Sequence, residues 1–159
     1  MRILVAYASR AGGTEGLAVM LGVDLKEFGH EVDVVPAREV REVDSYDAVI
    51  VGGAVYTFRW HEDARRFVKR FRTALQARSV WLFSSGPLDD SARNKSIPPV
   101  RFVRKAMAMV GAERHMTFGG RLTEEARGSR KALVVGDWRD PDHVREWAET
   151  IAKKLAEES

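Results

Sequence analysis

Two rhythms of apolar residues alternate along the chain. Ile3-Leu4-Val5-Ala6-Tyr7-Ala8 is an unbroken apolar run, whereas Leu17, Met20, Leu21, Leu25 and Phe28 recur at helical spacing. An unbroken run suits a strand covered on both faces, as in parallel sheets, and the second spacing marks a helix with one buried stripe. The alternation then repeats. Glu31 to Val35 reads as a second strand stopped at Pro36, residues 37–46 as a connection with a short helical turn, and Ala48 to Gly52 as a third strand. After a loop over 53–60, Ala64, Phe67, Val68, Phe71 and Leu75 line one face of a helix whose other positions hold Arg65, Arg66, Lys69, Arg70 and Arg72. Ser79 to Ser84 predicts a fourth strand, 85–90 a loop, and 93–99 a polar, proline-bearing stretch. Phe102, Val103, Ala106, Met107 and Val110 predict a helix ended by Gly111, and His115 to Gly119 a fifth strand. Residues 120–136 admit several readings: Leu133-Val134-Val135 suits a strand, a helix end or a packed loop. Asp140-Pro141 is a helix start, with Asp as cap and Pro at the first position, and Val144, Trp147, Ala148, Ile151 and Leu155 supply the final buried stripe.

Five short strands alternating with helices predict a parallel α/β sheet with helices on both faces, three layers in all. Right-handed crossovers restrict its topology. In the doubly wound order 2-1-3-4-5, ligands bind at the carboxyl ends of the strands beside the switch point. Three loops meet there, 9–14, 53–60 and 84–90, and they are the stretches richest in Gly, hydroxyls or aromatics.

The first loop, Ser9-Arg10-Ala11-Gly12-Gly13-Thr14, links a strand to a helix, so free backbone N–H groups and the positive helix end coincide there. No Lys follows Gly13, which excludes a P-loop, and the glycine spacing misses the dinucleotide fingerprint. A phosphate site and a plain Gly-rich turn with Thr14 as helix cap both fit these residues. The second loop offers Ala54, Val55, Tyr56, Thr57, Phe58 and Trp60, either as faces for a flat ring or as packing between helix and sheet. The third offers Ser84, Ser85 and a Gly86-Pro87 turn whose backbone suits a polar ring edge, or ordinary turn residues. A phosphate at one end and a flat ring at the other describe FMN. His61 and Glu62 either border that ring or sit on a helix surface, and no catalytic acid or base stands out.

Composition narrows the picture. At 159 residues the chain suits one domain spanning 1–159. It has no Cys, which excludes disulfides, thiolate metal sites and cysteine nucleophiles, and its four His lack metal-ligand spacing. No apolar segment is long enough for a membrane span and no signal peptide is visible, so a cytoplasmic protein is expected. The net charge of +3 is unevenly spread: residues 11–58 hold three basic and nine acidic side chains, residues 59–105 twelve basic and four acidic. The second block reads as a solvated helix face or as a surface for an acidic protein or a membrane. No nucleic-acid motif is present.

The first strand and its loop resemble those of flavodoxins, whose phosphate loop runs roughly [ST]-x-[ST]-G-x-T; Ser9, Gly12 and Thr14 match, and Ala11 stands where a hydroxyl is usual. Gly52-Gly53-Ala54-Val55-Tyr56, Arg66-Phe67-Val68, Phe118-Gly119-Gly120-Arg121-Leu122 and Asp137-Trp138 resemble the menaquinone-dependent protoporphyrinogen oxidases and related flavodoxin-domain proteins. This resemblance implies a flavodoxin-like fold, FMN as cofactor and an oxidoreductase. It also implies, as partners, a redox protein or a small-molecule, quinone or porphyrin substrate. The basic character departs from acidic electron-carrier flavodoxins. Thr57 stands where flavodoxins tend to have Gly near flavin N5, and a β-branched residue disfavours positive φ, so two-electron redox chemistry is the expectation. The alternatives are a flavodoxin-type electron carrier and a cofactor-free or deazaflavin-binding module that docks through its basic face.

Overall fold

Parallel pairing of the apolar runs organises the molecule. The computed structural model describes residues 1–112 and 114–158. In chain order the elements are β1 (Arg2–Ala8), α1 (Gly13–Glu27), β2 (Glu31–Pro36), a 3-10 turn (Ala37–Glu39), β3 (Ala48–Tyr56), β4 (Arg59–Trp60), α2 (Glu62–Arg70), α3 (Arg72–Gln76) and β5 (Ser79–Ser85). There follow α4 (Ser91–Asn94), α5 (Arg101–Val110), β6 (Arg114–Phe118), β7 (Arg121–Leu122), α6 (Glu124–Arg127), β8 (Gly136–Asp137) and α7 (Pro141–Glu158).

The main sheet has the parallel order β2-β1-β3-β5-β6, with β4 folded back antiparallel onto the end of β3. The expected order of the five parallel strands, 2-1-3-4-5, is therefore the observed one. Register pairs Val5 with Ile50, Ile50 with Trp81 and Phe83 with Met116. Both faces are covered, which is why these strands carry no polar alternation. Leu4, Val49, Val51, Val80 and Leu82 pack with Phe67, Val68, Leu75, Val103 and Val110 of α2, α3 and α5. Ile3, Val5, Ile50, Trp81 and Phe83 pack with Leu17, Leu21, Leu25, Trp147 and Ile151 of α1 and α7.

Several local details differ from the sequence reading. β3 runs four residues past Gly52, because Tyr56 and Val55 pair with Arg59 and Trp60 in a hairpin. The basic helix breaks at Phe71 into α2 and α3. In the segment 120–136, a two-stranded ladder joins Arg121 to Asp137 and Leu122 to Gly136, α6 is capped by Thr123, and 133–135 lie between these elements. α7 begins as expected, with Asp140 Oδ1 accepting from Asp142 N–H at 2.9 Å and His143 N–H at 3.4 Å.

Candidate functional site

A cleft of about 440 Å³ opens at the carboxyl end of β1, β3 and β5, within the range of small-molecule sites. Ser9, Arg10, Ala11, Gly13 and Thr14 line it from the first loop, Ala54, Val55, Tyr56 and Thr57 from the second, and Ser85 and Gly86 from the third. These residues the sequence had pointed to, and the structure brings them together. Leu88 adds to the third loop's share, and Gly120, Arg121, Leu122, Arg130 and Leu133 complete the wall. Sequence reasoning missed this last group as site residues, because their segment has no periodic signal and only the backward fold of β7 and β8 carries it over the first loop.

The first loop is a donor array. Gly12 sits at φ 83°, a left-handed conformation that glycine adopts without strain, and turns the chain directly into α1. Its N–H donates to Ser9 Oγ at 3.0 Å, and no side chain caps the helix. The alternative role of Thr14 as a helix cap is thus not realised. By helix geometry the N–H groups of Gly13, Thr14 and Glu15 lack intrahelical acceptors. Thr14 is buried and its Oγ1 lies 2.6 Å from Ser85 Oγ, so one of the two hydroxyl hydrogens is used between them and the other stays free. Ser9 keeps its own hydroxyl hydrogen. Ala11 has no side-chain donor, and its carbonyl accepts from Arg121 Nη2 at 3.2 Å.

The second loop is a hairpin with a two-residue tip. Thr57 and Phe58 have φ of 50° and 63°, both in the left-handed region. Such a tip matches the twist of the strands, but it is normally built from Asn and Gly. Thr57 therefore does not avoid positive φ, contrary to the expectation that a β-branched residue would. The Val55–Trp60 and Tyr56–Arg59 pairs close a two-residue hairpin, and the primed turns that suit such a tip place positive φ at its first residue, Thr57. Tyr56 flanks the cleft. The Arg10 guanidinium carbon lies 4.4 Å from its ring centroid, and Arg130 Nη1 donates to its hydroxyl at 2.8 Å.

Other expected site residues are placed elsewhere. Trp60 is 1% exposed, stands over Gly53, where a Cβ would lie 2.6 Å from its Nε1, and donates to the Phe83 carbonyl at 3.2 Å. It is a core residue that anchors the hairpin. Phe58 is 81% exposed and lies outside the cleft lining. Ser84 faces away and bonds His115 Nε2 at 2.8 Å; burial pushes that imidazole down to about 4. Gly12 shapes the first loop without lining the cleft. The Gly86-Pro87 backbone is engaged within the protein, since Gly86 N–H donates to Phe118 O at 3.3 Å and Pro87 O accepts from Gly120 N–H at 2.9 Å. His61 caps α2, its Nδ1 accepting from Asp63 N–H at 3.0 Å.

Arg10, Ala54, Tyr56 and Thr57 also line a second opening, with Arg59, His61, Glu62 and Arg65 on its far side. Next to it, Arg65, Arg66, Lys69 and Lys105 surround a groove floored by Phe102, Ala106 and Met109. Four cations of the basic block thus gather around one groove beside the second opening. Arg93 does not join it, being paired with Asp140 and Glu146 near and on α7.

A flavodoxin-domain family model matches residues 4–129. The chain belongs to the flavodoxin-domain family. It is 30% identical over 157 residues to protoporphyrinogen IX dehydrogenase [quinone] of Escherichia coli (strain K12), which covers 98% of this chain and 78% of that protein. Among solved structures, a flavodoxin from the domain Archaea superposes with a TM-score of 0.66 at 16% identity, covering 98% of this chain and 99% of the other. Oxidised flavodoxin 2 from Bacillus cereus gives 0.66 at 22% identity, with 97% and 99% covered. Membership in this family implies FMN as the cofactor and a redox role. The flavodoxin-domain cleft fits that group: an uncapped helix start with free donors lies at one end and an aromatic residue at the other. Among the described residues no helix is long and apolar enough to cross a membrane, and no cluster of side chains is arranged to hold a metal ion.

Proposed function

We propose that this flavodoxin-domain protein is an FMN-dependent oxidoreductase that takes two electrons from a reduced substrate of the porphyrinogen kind and passes them to a quinone. The observation that carries this reading is likeness along nearly the whole chain to protoporphyrinogen IX dehydrogenase [quinone], joined to a cleft that opens onto a basic surface. FMN supplies reversible hydride and electron transfer when bound. The residues of the chain bind, orient and shield it. Ser9, Gly13, Thr14 and the N–H groups of the first helical turn would hold the phosphate, and Tyr56 with Ala54, Val55 and Thr57 would flank the ring. Ser85 supports the phosphate turn through Thr14.

Two-electron chemistry rests here on the dehydrogenase relative rather than on Thr57, whose backbone already holds positive φ. The cationic openings suit a carboxylate-bearing substrate, and they suit an acidic protein or membrane surface less specifically. The test is an anaerobic assay of FMN-loaded protein with protoporphyrinogen IX and a menaquinone analogue. Porphyrin fluorescence should rise only when the quinone is supplied. A protein that binds FMN and exchanges electrons with a redox protein, yet oxidises no porphyrinogen, is an electron carrier instead.

A further inference from the structure

Arg121 holds an unusual position against the first loop. Its Nη2 donates to the Ala11 carbonyl at 3.2 Å, and a Cβ on Gly12 would lie 2.9 Å from the same nitrogen. Its backbone N is 3.5 Å from where a Cβ of Gly13 would stand. The guanidinium therefore rests on Ala11 and Gly12, while the main chain of Arg121 packs against Gly13. Its Nε is buried and has no hydrogen-bond partner. A buried donor left unpaired is costly, and Arg121 is itself one of the residues lining the cleft.

The carboxylate facing it in the ladder attracts it at a distance but makes no ion pair with it. Asp137 pairs with Arg121 across β7 and β8, but its two oxygens accept from Arg139 Nε and Nη2 at 2.9 and 2.7 Å. That bond to Arg139 holds the Asp137 carboxyl below its ordinary range. No salt bridge to Arg121 is formed among the described residues. So a fork of donors carrying one positive charge adjoins Ala11, the position where the flavodoxin-like turn usually has a hydroxyl and this chain has none.

We propose that Arg121 is a phosphate-recognition residue that replaces the hydroxyl absent at Ala11. It would bring a charge-assisted contact to an anion otherwise held by neutral hydroxyls and backbone N–H groups. This inference rests on the FMN reading above and adds to it a determinant of specificity for the phosphorylated over the unphosphorylated flavin. The donor fork lies on a segment far from the first loop in sequence, so β7 must be in place for full affinity.

Titration of apoprotein with FMN and with riboflavin, followed by flavin fluorescence, tests it. Arg121→Gln should weaken FMN binding roughly 10- to 100-fold, the scale of a charge-assisted hydrogen bond, and leave riboflavin affinity unchanged. Riboflavin binding also reports that the variant is folded. Arg121→Lys, which keeps the charge without the fork, should fall between. Ala11→Ser placed in the Arg121→Gln protein should recover part of the loss. Equal weakening of both flavins would overturn the proposal, because Arg121 would then only shape the turn through the Ala11 carbonyl. Unchanged FMN affinity in Arg121→Gln would overturn it too, while leaving the FMN reading intact. Failure of the unmodified protein to bind FMN would overturn both.

Discussion

Thr14 Oγ1 and Ser85 Oγ lie 2.6 Å apart, so a buried hydrogen bond joins the first turn of α1 to the end of β5 across seventy-one residues of chain. This bond orders the donor array before any ligand arrives. Thr14→Val keeps the shape and removes the hydroxyl, leaving Ser85 without its partner. Stability should fall by about 1 kcal/mol, as for a lost buried hydrogen bond, even without flavin. FMN affinity should fall as well. Urea unfolding of apoprotein and FMN titration check the two effects separately; a ligand-only effect would show that the bond does not preorganise the site.

The hairpin tip stores strain. Thr57 and Phe58 both occupy the left-handed region, at roughly 1 kcal/mol or more for a non-glycine residue. The double substitution Thr57→Asn with Phe58→Gly installs the residue types such a tip favours. It should raise unfolding stability by about 1 kcal/mol or more. If denaturant midpoints do not rise, Thr57 and Phe58 make compensating contacts. Phe58 itself is exposed, so its removal forfeits little burial.

Tyr56 and Trp60 should separate cleanly. Tyr56 flanks the cleft, and Tyr56→Ala should weaken flavin binding and reduce quenching of bound flavin with a small change in stability. Trp60 is buried against Phe83 and Gly53, and Trp60→Ala should cost about 3–5 kcal/mol, the range for deleting a core aromatic. Thermal unfolding and flavin fluorescence on both variants decide it. Strong quenching lost in a still-stable Trp60→Ala protein would contradict the assignment.

His115 makes stability fall in mild acid. Burial lowers its pKa from 6.5 to about 4, so the native imidazole stays neutral where the unfolded one is protonated. The unfolded chain therefore binds the extra proton, and stability is full above pH 6.5 and declines as pH falls towards 4. The decline attributable to this group is on the order of 1–3 kcal/mol. Burial lowers His30 and His143 as well, so the informative quantity is the difference from His115→Gln. That variant should show a flatter stability profile between pH 6.5 and 4, and an identical slope would remove His115 as the cause.

Much of the architecture was legible in the chain. The apolar runs at 3–8, 48–52 and 79–84 are buried on both faces, and burial on both faces is what suppresses polar alternation. Asp140 capping α7 and Gly111 ending α5 at φ 67° are local devices, readable because a single residue type satisfies the backbone there. That the loops 9–14, 53–60 and 84–90 meet at one end of the sheet followed from parallel topology, and residues within 9–14, 54–57 and 85–88 supply the cleft lining.

What stayed hidden depended on direction and distance. Trp60 and Ser84 lie in the expected loops or strand ends, but one turns into the core and the other towards His115, and period alone does not say which way a side chain at a strand end points. The left-handed tip at Thr57 and Phe58 runs against their local preference, because pairing of Arg59 and Trp60 with β3 overrides it. Arg121 meets Ala11 only because a two-residue ladder with Asp137 folds an aperiodic segment back over the first turn. Sequence by itself determined the layers, the strand order and the Gly-rich strand-to-helix turn at 9–14, since these follow from short-range patterns of burial and backbone freedom. Tertiary structure alone decided which side chains face the cleft, because that choice is made by contacts between segments roughly a hundred residues apart, such as Ala11 with Arg121.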